Sequence, residues 1–564
     1  MTPGSQSLGD ALHHSLGTAD SRMVEFNRME NPHATAPRHA ATLSAPGAEK
    51  QPPHRPGLRS AAPPAVEISG ALLVRNGLLN IIGQALPLVV GMVSVPIILR
   101  GLGTERFGLL VFLWTVTGAL TIFDLGLASA VTKFVAEALG RGDTRAVSQL
   151  VWTTVFGQVL VGLAISGIMA LLTPLLVLHV LRVSSAMQIE AIVALRLAAF
   201  LLPLMFVTNS LRGTLEAAQR FDIAALAKAA SSASSFLVPV MGVAAGWLLP
   251  PITLALLAAR ATLVIALLVG AVRVLSLTVP VSPLRGKDIG RLLGFGRWVM
   301  ISGLASVMLT YGDRVIIGTL QPMADLAYYA VPAELIARLG LVAGSMAAVL
   351  FPAFSALSGN HDRERLALLF VRAIRLGLLI TGPIFGLAAV LAPDLLKAWV
   401  GAGVAVHSTS VLQLLAVGAA FQVIGVVPMT LIHGIGSPEV AAKLHVVEAP
   451  LYVVALLWLV HAAGANGAAA AWSGRFVLET AILLWLSKRL PLFAGMDLRG
   501  PLQHVAVPVV VACVTWSIVY YWLPVPTTHR VVGIAIVLLV LIWWTWARTL
   551  HPGERAAVTR LLRL

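Results

Sequence analysis

The chain has 564 residues, of which 58% are hydrophobic and only 12% are charged, about half the charged fraction of a soluble domain. This composition excludes a soluble globular protein, and the single cysteine, Cys513, excludes an intrachain disulfide framework or a thiolate metal cluster. The net charge of +15 would suit either a nucleic-acid-binding protein or a membrane protein with basic loops, so the positions of the basic residues must decide.

The first segment, residues 1–68, is rich in Pro, Ala, His and Arg and shows no apolar periodicity. Such a composition cannot bury enough apolar surface to fold, so we predict a disordered cytoplasmic tail over these residues. The segment also lacks the apolar region of a secretory signal peptide.

From residue 69 onward, apolar runs of about 20 residues follow one another, each long enough to cross a bilayer as a helix. They predict an all-α, polytopic membrane protein with about 14 transmembrane helices. The predicted spans are 77–99, 106–131, 149–172, 191–211, 223–248, 251–273, 298–320, 328–354, 373–392, 409–432, 440–461, 464–487, 503–524 and 530–549.

Lys and Arg residues are unevenly divided between the two sides of the membrane in this arrangement. Loops on the side of the N terminus hold most of them, whereas the opposite side holds only Arg100, Arg106, Arg182, Lys397 and Arg530. By the positive-inside rule, and because an even number of spans puts both termini on one side, we predict that both termini are cytoplasmic in a bacterial inner membrane. The positive charge then reflects topology, and nucleic acid is not an expected partner.

Two cytoplasmic loops resemble each other, "ALGRGDTRAVSQLV" around Asp143 and "ALSGNHDRERLALLFV" around Asp362. Each follows an even-numbered span and leads into the next one. Gly213 and Gly434 also match, and they are separated along the chain by nearly the same number of residues as Asp143 and Asp362. These matches predict a parallel repeat of two six-helix lobes, an arrangement in which transporters bind substrate between the repeats near the middle of the membrane. The predicted lobes are residues 69–273 and 274–490, and residues 491–564 add two further helices.

Several segments in order along residues 70–490 carry a family resemblance. They are "GLLNIIGQALPLVVGMVSVPIILRGLGTERFGLLVF", "DLGLASAVTKFVAEALGRGD", "FGRWVMISGLASVMLTYGDRVIIGTL" followed by Tyr328 and Tyr329, and "VLFPAFSAL". In these segments the chain resembles polysaccharide-type lipid-linked oligosaccharide flippases of the multidrug/oligosaccharidyl-lipid/polysaccharide exporter superfamily.

The resemblance implies a flippase that moves undecaprenyl-diphosphate-linked oligosaccharide repeat units from the cytoplasmic to the periplasmic leaflet by alternating access. The units would serve the biosynthesis of a surface polysaccharide, either lipopolysaccharide or exopolysaccharide. The resemblance also implies two lobes around a cationic cavity. Its motifs carry over to Asp124 in "FDLGL" and to Asp313 and Arg314 in "YGDR".

Cationic side chains inside the predicted spans are the candidate substrate-binding residues. A charge at the bilayer centre costs about 2.5–3.5 kcal/mol on insertion scales, so such residues usually face a bundle interior or a wet cavity. Arginine forks suit the oxygens of a diphosphate. The candidates are Arg260, Arg314, Arg338, Arg475 and Arg196. Arg260 has no acidic residue within four positions, whereas Arg196 lies near a span end, where its side chain could instead snorkel to the interface.

Acidic side chains inside the spans are candidates for coupling transport to an H⁺ or Na⁺ gradient. They are Asp124, Asp313, Glu334 and Glu479. In the alternative interpretation they only hold helices together: Glu334 can pair with Arg338 and Glu479 with Arg475 at i,i+4 spacing. Asp124 would then bond the start of a neighbouring helix. No cofactor, metal centre or catalytic residue is predicted.

Other function classes fit the sequence less well. A polysaccharide polymerase or ligase would need a sizeable extramembrane region, and nucleotide-loop, HExxH and CxxC motifs are absent from the sequence. A peptidoglycan lipid-precursor flippase or a multidrug exporter of the same superfamily remains an alternative, as does a scaffold without transport. Expected partners are a lipid-linked oligosaccharide and membrane lipids, with polysaccharide assembly proteins as further candidates, and we expect a monomer.

Overall fold

The computed structural model describes residues 70–124, 126–279, 286–359 and 362–490. Over these ranges the chain is almost entirely helical, and its one β-type contact is an isolated bridge between Arg182 and Pro322. The all-α prediction is therefore confirmed. The predicted tail over residues 1–68 and the last two predicted spans, 503–524 and 530–549, lie outside the described residues.

The first half of the described chain forms seven helices. They are α1 (Gly70–Leu120), α2 (Leu127–Gly140), α3 (Thr144–Leu175), α4 (Gln188–Ala199), α5 (Leu201–Ala217), α6 (Phe221–Ala244) and α7 (Leu249–Leu275). A short 3₁₀ turn, Thr121–Asp124, connects α1 to the region before α2. A π-helical turn, Leu176–Val180, and a 3₁₀ turn, Ser185–Met187, follow α3.

The second half also forms seven helices in the described residues. They are α8 (Gly286–Leu320), α9 (Met323–Leu339), α10 (Leu341–Gly359), α11 (Arg363–Val390), α12 (Ala392–Val400), α13 (Ala402–Gly434) and α14 (Pro438–Arg489). Nine segments of the described chain are long and apolar enough to cross a membrane. This finding confirms a polytopic membrane protein.

Breaks inside the longest helices show how these elements correspond to the predicted spans. Gly103 has a φ of 79° inside α1, and Ala463 and Gly464 leave helical geometry inside α14. Each of these long helices therefore consists of two helical segments joined at a break. With these breaks, the described helices cover the positions of the first twelve predicted spans. Several boundaries differ. The predicted spans 191–211 and 328–354 are interrupted at Phe200 and Gly340, and α8 and α11 begin at Gly286 and Arg363, well before the predicted spans 298–320 and 373–392. The predicted span 106–131 stops at Leu120 and resumes at Leu127, because Gly126 adopts a left-handed conformation before α2.

The two loops that resemble each other in sequence also share their local structure. The Asp143 side chain caps α3 by accepting a hydrogen bond from the backbone N–H of Ala146 at 2.9 Å. The Asp362 side chain caps α11 in the same way, accepting from the N–H of Arg365 at 3.2 Å. Each cap stabilises its helix by about 1 kcal/mol. The two-lobe repeat as a whole stays a prediction.

The apolar side chains form one shared core and two separate ones. We call the two ends of the helices the Gly103 end and the Asp143 end. Toward the Gly103 end, one cluster joins both halves of the chain and includes Leu109, Phe206, Ile317, Tyr329 and Leu456. Toward the Asp143 end, the described apolar side chains separate into one cluster from α2, α3, α5, α6 and α7 and another from α10, α11 and α13. Among these side chains the halves share a core only toward the Gly103 end.

Candidate functional site

Arg260 lines a cavity of about 280 Å³ in the first half of the chain. The cavity is lined by Trp114 and Thr117 of α1, Leu201 and Met205 of α5, Ser232, Ser234, Ser235 and Phe236 of α6, and Leu256 and Arg260 of α7. The Arg260 guanidinium donates a hydrogen bond to the Ser231 hydroxyl. Among the described residues no carboxylate forms an ion pair with Arg260. The cavity therefore contains a half-buried positive charge that its described surroundings do not neutralise.

One wall of the cavity comes from the sequence "SSASSF" in α6, which places several hydroxyls and an aromatic ring on neighbouring turns. The Ser234 and Ser235 hydroxyls donate to the Ser231 carbonyl oxygen at 2.9 and 3.1 Å. Their oxygen lone pairs remain able to accept further hydrogen bonds. The Phe236 ring packs edge-on against Trp114 with centroids 5.4 Å apart. The cavity thus combines a cation, hydroxyl groups and an aromatic pair.

Arg338 connects this cavity to the second half of the chain. Its guanidinium donates to the Glu334 carboxylate at 2.7 Å and lies 5.8 Å from the centroid of the Phe236 ring. A Cβ atom on Gly91 of α1 would overlap the Nη2 atom of Arg338. The Arg338 side chain is only 9% exposed, so it packs at the contact between α1, α6 and α9.

Asp313 and Arg314 of the "YGDR" motif do not form a side-chain hydrogen bond with each other. Asp313 accepts from the Tyr329 hydroxyl at 2.5 Å and from the backbone N–H of Arg314 at 2.8 Å. The Arg314 guanidinium interacts electrostatically with the carboxylates of Asp313 and Glu334. In the part of the chain that the structure describes, this guanidinium has no hydrogen-bond acceptor.

Three of the predicted cations are connected through shared neighbours. Phe236 lines the cavity of Arg260 and also has the Arg338 guanidinium near its ring. Glu334 bonds Arg338 and interacts electrostatically with Arg314. Through Phe236 and Glu334, the structure therefore links Arg260 of the first half of the chain to Arg338 and Arg314 of the second half.

Arg475 lies in a separate cluster of charged side chains on α14. Its guanidinium donates to Glu448 at 2.8 Å and to the Leu309 carbonyl oxygen of α8 at 2.9 Å, and it lies 3.7 Å from Glu479. His445 is 3.5 Å from Glu479. Oε2 of Glu448 and Oε2 of Glu479 are buried without a hydrogen-bond partner in the described residues.

The same cluster is the one place in the described residues where His, Cys, Asp or Glu side chains group closely enough to hold a metal ion. Ligand atoms of His445, Glu448 and Glu479 all lie within 4.8 Å of one another. Glu448 lies inside the predicted span 440–461 but is not among the acidic candidates predicted from the sequence, Asp124, Asp313, Glu334 and Glu479. Glu448 and Arg475 are on opposite sides of the helix break at Gly464. An inventory of all acids inside the predicted spans would have included Glu448.

Asp124 and Arg196 occupy positions apart from these groups. The Asp124 carboxylate accepts from the Gly126 backbone N–H at 2.7 Å, and its carbonyl oxygen accepts from the Gln158 side chain at 3.3 Å, so it stabilises the turn before α2. Arg196 is exposed and donates to the Ala170 carbonyl oxygen of α3 at 3.3 Å. It is not among the residues that line the Arg260 cavity.

Comparisons with known proteins show which family the chain belongs to. The family model described as "Polysaccharide biosynthesis protein" matches residues 73–358. A "Putative O-antigen transporter" from Shigella flexneri is 27% identical over 426 residues, which are 74% of this chain and 98% of that protein.

Two solved structures have a similar fold at low sequence identity. One is the lipid II flippase MurJ in an inward closed conformation, with a TM-score of 0.67 and 14% identity, over 84% of this chain and 98% of MurJ. The other is a multidrug resistance MATE family transporter of the MOP superfamily in an inward-facing conformation, with a TM-score of 0.61 and 16% identity, over 74% of this chain and 99% of that chain. The resemblance found in the sequence is confirmed, and the chain belongs to the polysaccharide biosynthesis protein family, with the fold of MOP-superfamily transporters.

Proposed function

We propose that the chain is a flippase that moves undecaprenyl-diphosphate-linked oligosaccharide repeat units from the cytoplasmic to the periplasmic leaflet of a bacterial inner membrane. The moved units would supply the biosynthesis of a surface polysaccharide. The name of the Shigella flexneri relative and the family membership both support this class of substrate. The observation that carries the proposal is the cavity of Arg260.

Arg260 suits a diphosphate because its charge has no carboxylate partner among the described residues. A half-buried guanidinium without an opposite charge is costly inside a membrane protein, and a bound diphosphate would offset that cost through charge-assisted hydrogen bonds. The serines and the Trp114–Phe236 pair in the same cavity supply acceptors and apolar surface for the first sugar. Arg338 and Arg314 would then receive the diphosphate as it passes toward the second half of the chain.

The arrangement of the apolar cores supports alternating access. The two halves share a core toward the Gly103 end, whereas the described side chains toward the Asp143 end form separate cores. If the Asp143 end is cytoplasmic, as the basic loops predict, separation of the cytoplasmic ends would leave these two cores intact but would have to break the contacts that α8 makes with α2 and α3. Both chain termini would then be cytoplasmic.

Coupling to an ion gradient forms part of the proposal, and we assign it to the α14 cluster rather than to Asp124. His445, Glu448 and Glu479 bring acceptor atoms together beside Arg475, and two carboxylate oxygens there lack hydrogen-bond partners in the described residues. Such a group can take up H⁺ or Na⁺ and release it when the helices move. Asp124, by contrast, has a local structural role as an acceptor for the turn before α2.

A second candidate function is the transport of a peptidoglycan lipid precursor. The similarity to the fold of MurJ, a lipid II flippase, favours it, because the match extends over 84% of this chain. A cavity cation suits any diphosphate-linked lipid and disfavours cationic drugs, so the choice between the two lipids depends on the sugars. We expect the chain to act as a monomer among membrane lipids, with polysaccharide assembly proteins as candidate partners, and to leave its substrate chemically unchanged.

The experiment compares three substrates with the full-length protein in proteoliposomes. Flipping of the undecaprenyl-diphosphate-linked repeat unit of the source strain, of lipid II and of a cationic dye is measured by access of an impermeant reagent. We expect the repeat unit to be flipped fastest, and mass spectrometry should recover it intact. Faster flipping of lipid II would favour the second candidate, and movement of the dye alone would contradict both.

A further inference from the structure

A second cavity, of about 340 Å³, lies at the Gly103 end of the second half of the chain. Its lining consists mainly of polar side chains from four places in the fold. They are Gln321 after α8, Asp325 and Tyr328 of α9, His407 of α13, and His461 and Asn466 on either side of the break in α14. Neither the Arg260 cavity nor the α14 charge cluster shares these residues.

The break in α14 shapes one wall of this cavity. Gly464 has a φ of 54° and a ψ of −131°, a backbone conformation that favours glycine, and a Cβ atom there would lie 3.3 Å from the Asp325 carboxylate. The Gln321 side chain donates to the Val460 carbonyl oxygen at 2.9 Å and so ties the end of α8 to α14. Its own amide oxygen remains able to accept a hydrogen bond.

The part of the lining from α9 and α13 is also held by contacts between helices. The Tyr328 ring stacks on the His407 ring with centroids 4.6 Å apart and an interplanar angle of 21°. The Ser408 hydroxyl donates to the Tyr328 carbonyl oxygen at 2.9 Å, which ties α9 to α13. The cavity is therefore preformed by side chains whose positions are held from several helices.

The chemistry of the lining distinguishes this cavity from the one at Arg260. It contains one carboxylate, two amides, two imidazoles and a phenol, and no Lys or Arg is among the lining residues. Without a cation, the site disfavours a diphosphate, and its polar lining disfavours an acyl chain. Alternating donors and acceptors around planar rings match the adjacent hydroxyls of a sugar. A metal ion fits less well, because among the described residues close metal-ligand grouping occurs only at His445, Glu448 and Glu479.

We infer that this cavity is a saccharide-binding site that holds the oligosaccharide portion of the substrate at the Gly103 end. The inference rests on the proposed function for its substrate class and for the periplasmic orientation of this end. The Arg260 cavity would bind the diphosphate and the first sugar, while the second cavity would hold sugars farther from the lipid once they reach the periplasmic side.

The test uses the oligosaccharide repeat unit released by mild acid hydrolysis of the sugar–phosphate bond of its undecaprenyl-diphosphate-linked form, so that it carries neither lipid nor diphosphate. Saturation-transfer-difference NMR measures its binding to the full-length protein in detergent micelles. His461→Ala and Asn466→Ala each remove a polar group, and since both side chains are exposed, neither change should unfold the protein. The matched control is His179→Ala, an exposed histidine after α3, outside the cavity.

We expect the repeat unit to bind the wild type and to bind each cavity variant about tenfold more weakly, as the loss of hydrogen bonds to the sugar implies. The His179→Ala control should bind like the wild type. No binding to the wild type, or equal binding by the wild type and both cavity variants, would overturn the inference.

A further variant separates this inference from the proposed function. Arg260→Gln should lose flipping of the lipid-linked unit but keep binding of the released saccharide, since the two sites share no residue. If the wild type flips the lipid-linked unit and yet binds the released saccharide no better than His461→Ala does, the inference is wrong while the function stands. If flipping is absent but saccharide binding still depends on His461, the saccharide site stands and the flippase proposal is wrong.

Discussion

The Tyr329 hydroxyl donates a 2.5 Å hydrogen bond to the Asp313 carboxylate, and both side chains are almost fully buried, at 1% and 4% exposure. This bond ties α9 to α8 and engages one oxygen of Asp313, while the other oxygen accepts from the Arg314 backbone. The neighbouring Arg314 guanidinium interacts electrostatically with the carboxylates of Asp313 and Glu334 without a hydrogen bond to either in the described residues. The two charges of the "YGDR" motif have different surroundings: Asp313 joins two helices through Tyr329, whereas Arg314 interacts with Asp313 and Glu334 through their charges.

Removing the Tyr329 hydroxyl tests the structural role of this bond. Tyr329→Phe leaves a buried Asp313 oxygen without its donor, so we expect a loss of about 1–3 kcal/mol of stability. Thermal unfolding in detergent measures it. Tyr311→Phe is the matched control, because the Tyr311 hydroxyl has no hydrogen bond in the described residues. Equal stability of the two variants would contradict the role given to Asp313.

Crowding Arg338 from the side of α1 tests whether its position matters for transport. In Gly91→Ala the new Cβ atom overlaps the Arg338 guanidinium, which can move but must leave its place beside Glu334 and Phe236. We expect a loss of stability of about 1–3 kcal/mol and a flipping rate, at equal amounts of folded protein, reduced about tenfold. Gly167→Ala on α3, where the added Cβ meets open space, is the control. Unchanged flipping by Gly91→Ala would remove Arg338 from the substrate path.

Neutralising Glu448 tests the site assigned to ion coupling. Glu448→Gln keeps the size of the side chain but removes one of the two carboxylates beside Arg475. We expect flipping to lose its dependence on an imposed H⁺ or Na⁺ gradient, measured in proteoliposomes with and without each gradient. Glu439→Gln, an exposed acid in the first turn of the same helix, should keep that dependence. A gradient dependence that survives in Glu448→Gln would place coupling elsewhere.

Two substitutions of Asp124 distinguish a structural hydrogen-bond acceptor from a group that couples transport to an ion gradient. Asn can still accept the hydrogen bond from the Gly126 N–H, so Asp124→Asn should retain stability, flipping and gradient dependence. Asp124→Ala removes the acceptor and should lower stability by about 0.5–2 kcal/mol. Loss of gradient dependence in Asp124→Asn would show that its charge, rather than its capping bond, is what transport requires.

Apolar periodicity was sufficient to predict the membrane class and the positions of the helices that the structure describes. Loop similarity likewise predicted that Asp143 and Asp362 occupy equivalent positions, and both cap a helix. These features depend on local sequence, which sets where a helix begins and which residues can cap it.

Features that depend on how the helices are oriented relative to one another could not be predicted from the sequence in the same way. The sequence singles out Arg260 by its lack of nearby acids, but it does not reveal that the α6 serines would form the same cavity. Glu448 meets Arg475 only because α14 breaks at Gly464 and its two helical segments lie side by side. Spacing along one helix predicted Glu479 as a partner, whereas the shorter contact comes from a residue on the other segment of the helix.

The proposed function requires that Arg260 binds the diphosphate of a lipid-linked saccharide. Its most direct test is the flipping rate of the undecaprenyl-diphosphate-linked repeat unit by Arg260→Gln in proteoliposomes, beside Arg273→Gln, which changes an exposed arginine of the same helix. Loss of a charge-assisted contact worth about 2–5 kcal/mol should slow Arg260→Gln by about 30-fold or more and leave Arg273→Gln near the wild-type rate. Equal rates for Arg260→Gln and the wild type, with equal amounts of protein in the membrane, would show that Arg260 does not bind the diphosphate during transport.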